Sequence, residues 1–276
     1  MKTPIIDVVI TFAGRVDFLE KCLNSIYRGA TVPITINILD DASDKKKKLE
    51  NSHLFQYDKS KDVHENVVSF RSKRNEKTQG FPGSANGGAK LSNSKVICFI
   101  SDDVEIFPDY FDNLVKVLED ETIGIVGARL MFPLDSPTES RPAGKIQHVG
   151  VSIGIRGEAN HPLLGWSSDN PKTMVSRECF AVTGALYAIR RNLFRAAGGF
   201  DLIFGRGYWE DIDMCLKVRQ LGYRVWLDAG LNGYHYGGAT LEIDQTHGMD
   251  FNKNAAIFRS RWEKLGLIVS DVWTYG

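Results

Sequence analysis

The residues of this chain best suited to chemistry are three acidic pairs, Asp40-Asp41, Asp102-Asp103 and Glu210-Asp211, together with a late histidine, His235. The middle pair is the most telling. It follows Val96-Ile97-Cys98-Phe99-Ile100, an apolar run that reads as a central strand buried on both faces. Ligands of open α/β sheets bind beyond the carboxyl ends of the strands, so these carboxylates should stand at the mouth of a crevice. Adjacent like charges at an apolar rim resist desolvation unless a cation joins them. Oxygen ligands favour a hard divalent ion, Mg2+ or Mn2+, over zinc. Taken alone, the pair reads equally as an acidic turn that favours a helix start.

The third pair lies in Tyr208-Trp209-Glu210-Asp211-Ile212-Asp213, which should open a helix running to Leu221 and ended by Gly222. Glu210 and Asp213 are three apart and share a helical face, whereas Asp211 points elsewhere. A helix N-terminus keeps a carboxylate ionised, as a general base must be. The same acids also simply complement the positive end of the helix.

The elements that must position these groups follow from periodicity and breakers. Ile5 to Ile10 is a strand, and Phe18, Cys22 and Ile26 form the apolar stripe of a helix, with Asp17 and Glu20 as its capping pair and Gly29 and Pro33 beyond its end. Ile34 to Leu39 is a second strand that runs into Asp40-Asp41-Ala42-Ser43, so strand, helix and strand open the chain as in a nucleotide-binding α/β fold. Val67 to Phe70 leads into a stretch from Arg74 to Gly88 with four glycines and a proline, expected to form a loop and helix start where backbone approaches a ligand. Its spacing is neither GxGxxG nor Gly-Lys-Ser/Thr, which argues against dinucleotide and P-loop sites. Further strands are expected at Gly124 to Leu130, Val149 to Ile155, Ala181 to Ile189 and Val225 to Leu227. Helices are expected after Pro108, at Arg191 to Ala197, and around Phe258, Trp262 and Leu265. Pro133 to Lys145 is a polar, proline-containing loop, and His161 to Arg177 is a long irregular segment carrying Trp166, of a length that is usually functional when ordered.

In this order the motifs resemble the inverting glycosyltransferases of family 2. The resemblance covers nearly the whole chain: the first strand into Thr11-Phe12, Ile38-Leu39-Asp40-Asp41-Ala42-Ser43, Gly80-Phe81 with Asn86, Ser101-Asp102-Asp103, Gly198-Gly199-Phe200-Asp201, and Trp209-Glu210-Asp211-Ile212-Asp213. Two departures are a serine in place of an acid at Ser101 and Thr78 where an asparagine is common before Gly-Phe. The resemblance implies a GT-A fold, an α/β, Rossmann-like mixed central sheet with helices on both faces. It implies one domain, with residues 1–132 as the nucleotide-sugar-binding half and 133–276 as the acceptor-binding and catalytic half.

It also implies roles. Thr11, Phe12 and Asp41 would hold the base of a UDP- or dTDP-sugar, and Asp40 its ribose, or else Asp40 would orient its neighbour. Gly80, Phe81 and Asn86 belong to the donor site. Asp103 would bind Mn2+ or Mg2+ with His235 completing the metal shell, leaving Asp102 as a sugar contact or an outer partner. Asp211 would be the base that activates an acceptor hydroxyl, with Trp209, Glu210 and Trp166 beside the acceptor. That acceptor would be a saccharide, lipid- or protein-linked in some settings. His148, at a strand start, is a further candidate for facing the donor sugar.

Composition is compatible with this reading. The chain has 276 residues, 43% hydrophobic and 25% charged, with 34 basic and 34 acidic side chains. That is ordinary for a globular protein with a full core, and a formal charge of zero gives no field that argues for nucleic acid. Cys22, Cys98, Cys179 and Cys215 form no CxxC and read as reduced, structural thiols. No signal peptide opens the sequence and no apolar run is long enough to span a membrane, so a cytoplasmic protein is expected, with peripheral membrane contact left open. Competing readings are a sugar nucleotidyltransferase, for which Thr11-Phe12-Ala13-Gly14-Arg15 is too poor in glycine to hold a triphosphate, and a non-catalytic sugar-nucleotide- or glycan-binding module.

Overall fold

The first strand, β1 (Ile6–Phe12), is apolar almost throughout because both of its faces are covered. The computed structural model describes residues 3, 5–44, 65–135, 137–154, 158–237 and 247–265. The Lys45–Lys48 run lies outside them. Parallel partners β2 (Ile34–Asp40) and β4 (Val96–Ser101) flank β1, and β3 (Val67–Arg74) extends that side. Beyond β4 the sheet continues through antiparallel β11 (Leu186–Arg190), then β6 (Ile123–Met131), β12 (Arg224–His235) and the short β10 (Arg177–Glu178). The short strands β5 (Val104–Ile106) and β7 (Ile146–His148) pair with β12 and β6. One continuous sheet thus carries strands from both ends of the chain, and β6 lies between β11 and β12.

Alternation along the strands divides the core in two. Val8, Ile10, Cys98 and Ile100 pack with α1 (Val16–Gly29) and α3 (Tyr110–Val117). Val9, Ile97 and Phe99 face the other way, towards α2 (Gly80–Leu91), α4 (Arg191–Ala196), α5 (Glu210–Gln220) and α6 (His247–Trp262). Phe200 is the hub of that second layer, with ring centroids 5.2 Å from Phe99, 5.3 Å from Phe81 and 5.4 Å from Phe194. All four cysteines are free and buried. No helix among the described residues is long and apolar enough to cross a membrane.

Several expectations are corrected. Helix α1 begins after Arg15 with no side-chain cap, so Asp17 and Glu20 form no capping pair. The glycine-rich stretch, by contrast, forms the expected loop at 75–79 and then the helix α2 from Gly80. A Cβ on Gly88 would lie 2.3 Å from Val9 Cγ1, so this glycine lets the helix settle onto the sheet. The strand expected at 149–155 breaks at Gly150, with φ of +114°, and resumes as Ser152–Ile153 (β8) against Ala159–Asn160 (β9), while Ile155 lies outside the described residues. The strand expected from Ala181 starts at Leu186, because the amides of Thr183 and Gly184 turn towards side chains instead of a neighbouring strand.

Asn86 has a role in this scaffold. Its Oδ1 accepts from the Phe200 amide at 2.9 Å and its Nδ2 donates to the Phe200 carbonyl at 2.8 Å, tying α2 to the aromatic hub. Each polar end is thereby engaged once, and Asn86 remains half-buried. Asn86→Ala should lower unfolding stability by about 2–3 kcal/mol, since it leaves a backbone amide and carbonyl without partners. A urea titration reads this directly as a lower midpoint at unchanged slope.

Candidate active site

The carboxyl ends of β1, β2 and β4 converge, and each delivers sequence-selected residues. At the end of β2, Asp40 is 2% exposed. It accepts from the Ser43 amide (2.8 Å), the Ser43 hydroxyl (2.9 Å) and Arg74 Nη1 (2.9 Å). This inward-facing network fits the role of orienting its neighbour and not a ribose contact. Asp41 accepts from the amides of Gln79 (2.7 Å) and Gly80 (2.9 Å) and from Asn75 Nδ2 (3.0 Å). A carboxylate has about four acceptor sites, so roughly one is left for a ligand. Phe12 is 1% exposed and its ring lies in the core beneath α1, which corrects the expectation that it packs on a base. Thr11 is half-buried at the same strand end.

Gly80 has φ of +68°, and a Cβ there would lie 2.2 Å from the Gly205 carbonyl oxygen. Only glycine lets α2 start against the 205–207 loop, where the Phe81 amide donates to the Arg206 carbonyl at 3.1 Å. Phe81 is half-buried between Phe200 and the space beside Gly184, where a Cβ would lie 3.5 Å from its ring.

Asp102 and Asp103 diverge after β4. Asp102 accepts from the Ala13 amide, and burial, then the charge of Asp103, push its pKa up. Asp103 is buried, with Oδ1 3.3 Å from His235 Nε2 and Oδ2 accepting from the Gly237 amide at 3.1 Å. Burial opposes its charge, but His235 alongside and the Gly237 amide hold its pKa below the ordinary carboxylate value. His235 reaches this position because β12 is long enough to pair beyond β6 with β5, where His235 stands opposite Val104.

The donor set suits a divalent ion. Gln147 Nε2 donates to the His235 carbonyl at 3.1 Å, which fixes its Oε1 2.7 Å from His235 Nδ1. The Nδ1 nitrogen then donates to that oxygen, which leaves Nε2 as the ring nitrogen that faces the Asp103 carboxylate. An imidazole Nε2 and a carboxylate oxygen that face each other can share a metal ion, and a glutamine bonded to Nδ1 is the kind of outer partner that orients a ligating histidine. Among the described residues no cluster of three or more His, Cys, Asp or Glu could hold a metal. Asp103 and His235 would therefore leave several positions for phosphate and water, as Mg2+ and Mn2+ sites of this kind do.

Asp211 enters from the other side of β4. Ser101 donates its amide to the Ala185 carbonyl at 2.8 Å, and the neighbouring Gly184 donates to Asp211 Oδ2 at 2.8 Å. The Ile212 amide donates to Asp211 Oδ1 at 2.8 Å. Burial raises the Asp211 pKa, against the pull of these amides. Glu210 is 6% exposed, its Oε2 has no partner among the described residues, and burial followed by the Asp211 charge pushes its pKa well up. Both acids follow Tyr208 and Trp209, which hold φ of +71° and +75°, strained values that rigid surroundings must impose.

The other acceptor-side residues separate. Trp209 is 3% exposed and packs on Phe258 and Phe251, with centroids 4.9 and 5.7 Å away, which corrects its assignment to a sugar-stacking surface. Asp213 anchors α6 through Arg261 Nη1 (2.7 Å) and Trp262 Nε1 (2.9 Å). Trp166 is 41% exposed, near enough in sequence to exposed Leu164 to offer apolar surface. The site residues that sequence reasoning missed are Gln147, Thr183, Gly184 and Asn75, which act through backbone amides or side-chain amide bonds and leave no periodic or spacing signal. Gly184, directly before a strand, is the one with a local cue.

Comparison with known proteins matches residues 7–183 to Glycosyl transferase family 2. The O-antigen biosynthesis protein RfbC of Myxococcus xanthus is 25% identical over 93% of this chain and 19% of its own length. An uncharacterized protein, y4gI, of Sinorhizobium fredii is 29% identical over 64% of this chain and 19% of its own. The chain thus spans about a fifth of the length of the curated relatives it matches. Among solved structures, GalNAc-T7 with UDP, GalNAc and Mn2+ superposes with a TM-score of 0.64 at 18% identity, over 83% of this chain and 42% of the other. The S. aureus TarS 1-349 complex with UDP-GlcNAc gives 0.59 at 12%, over 95% and 67%. The mannosyltransferase PcManGT of Pyrobaculum calidifontis with GDP-Man and Mn2+ gives 0.54 at 16%, over 83% and 58%. These likenesses give the fold, GT-A.

Proposed function

The chain belongs to glycosyl transferase family 2, and from that premise we propose that it moves a hexose or 6-deoxyhexose from a UDP- or dTDP-sugar to a hydroxyl of a saccharide-type acceptor, with inversion at the anomeric carbon. The observation that carries the reading is the β4–β11 frame. Ser101 and Ala185 are bonded to each other, the Asp102-Asp103 pair follows the first, and Gly184, before the second, holds Asp211. One strand end therefore supports a metal-type acid and a candidate base.

In this reading Asp41 and Thr11 bind the nucleoside, Asp102 faces the ribose or sugar, and Asp103 with His235 holds a divalent cation. When bound, that ion supplies Lewis-acid stabilisation of the charge on the departing diphosphate. Asp211 accepts the proton of the acceptor hydroxyl as its oxygen bonds to the anomeric carbon and the bond to the diphosphate breaks. A base with a raised pKa is a stronger proton acceptor than a free carboxylate, which suits this task. Trp166 offers a face on which an acceptor sugar can stack.

The ligands named with the structural neighbours, UDP-sugars and Mn2+ among them, support the donor class and the metal. The name of the Myxococcus relative, an O-antigen biosynthesis protein, supports a role in polysaccharide biosynthesis with a saccharide-type acceptor. The test is a panel of UDP- and dTDP-sugars screened by thermal shift with and without Mn2+, followed by assay of nucleoside diphosphate release with saccharide acceptors. A metal-dependent rise in melting temperature with one donor, and release that depends on acceptor, are expected. Pyrophosphate release from a nucleoside triphosphate and a sugar phosphate would instead make the chain a nucleotidyltransferase.

A further inference from the structure

Two histidines stand beside the acidic constellation as a bonded pair. His148 ends β7 and is 1% exposed, whereas His161 follows β9 in an exposed position. Their Nδ1 atoms are 3.0 Å apart, with the rings edge to face. The Thr183 amide donates to His148 Nε2 at 3.3 Å. A neutral imidazole carries one N–H, so acceptance at Nε2 puts the His148 proton on Nδ1. His148 then donates to His161 Nδ1, which moves the His161 proton to its own Nε2. That edge of His161 has no partner among the described residues. Burial, aided by the nearby His161 and His235, pushes the His148 pKa well below the ordinary value and keeps this relay neutral.

The pair is framed by both halves of the site. Gln147, next to His148, orients His235, and Gly184, next to Thr183, holds Asp211. These chain neighbours reach the cation ligands on one side and the base on the other, which puts the pair beside the space that the transferred sugar would occupy if the chain binds a sugar nucleotide as proposed above. We propose that the Nε2–H of His161 donates a hydrogen bond to a ring hydroxyl of the donor sugar, and that His148 is the positioning residue that fixes the tautomer. The pair is then a determinant of which sugar nucleotide the enzyme accepts.

The test compares, by calorimetry on the full chain with Mn2+, the free nucleoside diphosphate with whichever sugar nucleotide of the panel binds best. The readout is the ratio of the two dissociation constants, which isolates the contribution of the sugar. His161→Phe should reduce that ratio about fivefold, the worth of one neutral hydrogen bond, while changing nucleoside diphosphate affinity less than about twofold. His161→Gln, which restores an N–H near the same point, should recover most of it. His148→Phe should reduce the ratio to a similar extent, and the double variant no further, since both remove the same bond. An unchanged ratio in His161→Phe, or equal losses for both ligands, overturns the proposal. A His148→Phe variant that melts earlier but keeps the ratio overturns the positioning role. Failure of the unaltered chain to bind any nucleoside diphosphate or sugar nucleotide overturns the functional reading itself.

Discussion

Asp211→Asn is expected to lower kcat about a thousandfold while leaving the dissociation constant for the donor within about threefold, the range set by removing one general base. The amide of asparagine can still accept from Gly184 or Ile212, so the loop keeps its course, but it cannot take a proton from the acceptor hydroxyl. Single-turnover measurements with saturating donor separate the chemical step from binding. Near-full activity in this variant would remove Asp211 from the mechanism. The pH profile adds a second check. Because burial raises the Asp211 pKa, the acid limb of kcat/KM should fall at a pH above the ordinary aspartate value of about 3.9. The sign for stability runs the same way: a raised folded pKa gives stability that is full below the unfolded pKa and is lost as pH rises through the folded one. The variant should therefore gain stability relative to the unaltered protein between pH 4 and pH 7, as urea titrations at the two pH values would read.

Asp103→Asn is expected to reduce turnover about 100- to 1000-fold, the scale of losing one preorganised charge at a leaving group. It should also abolish the Mn2+ dependence of nucleoside diphosphate binding. Chelation of the unaltered protein should reproduce both losses, and chelator and substitution together should do no more than either alone. Gln147→Ala tests the same centre from behind, since without Gln147 the tautomer of His235 is no longer fixed. Metal affinity should fall about 10- to 100-fold with the fold intact, read by titrating Mn2+ against activity. A turnover insensitive to chelation would overturn the metal reading while leaving the Asp211 prediction standing.

The chemistry-bearing acids were legible because each follows an apolar strand or opens a helix, and such positions are set by local pattern. Asp102-Asp103 after β4 and Asp211 at the start of α5 are of this kind. Periodicity also located most strands and helices, since a strand buried on both faces has to be apolar throughout. Where it erred, the backbone had partners distant in sequence. The shortened β11 is the clearest case, because Thr183 and Gly184 donate to His148 and Asp211, 35 and 27 residues away.

The sequence by itself determined the family, the α/β class and the acids that could do chemistry, because burial and charge leave marks in residue type. Only the tertiary structure decided which of those residues face a ligand. Phe12 and Trp209 look like binding residues in the motif and are held inside by packing. Gln147 and His161 carry no motif, and the bond that pairs His148 with His161 becomes visible only when β6, β7 and the turn before β11 are brought together. A hydrogen bond of one amide or one ring nitrogen depends on orientation in space, and a linear order of residue types does not encode that until the chain is folded.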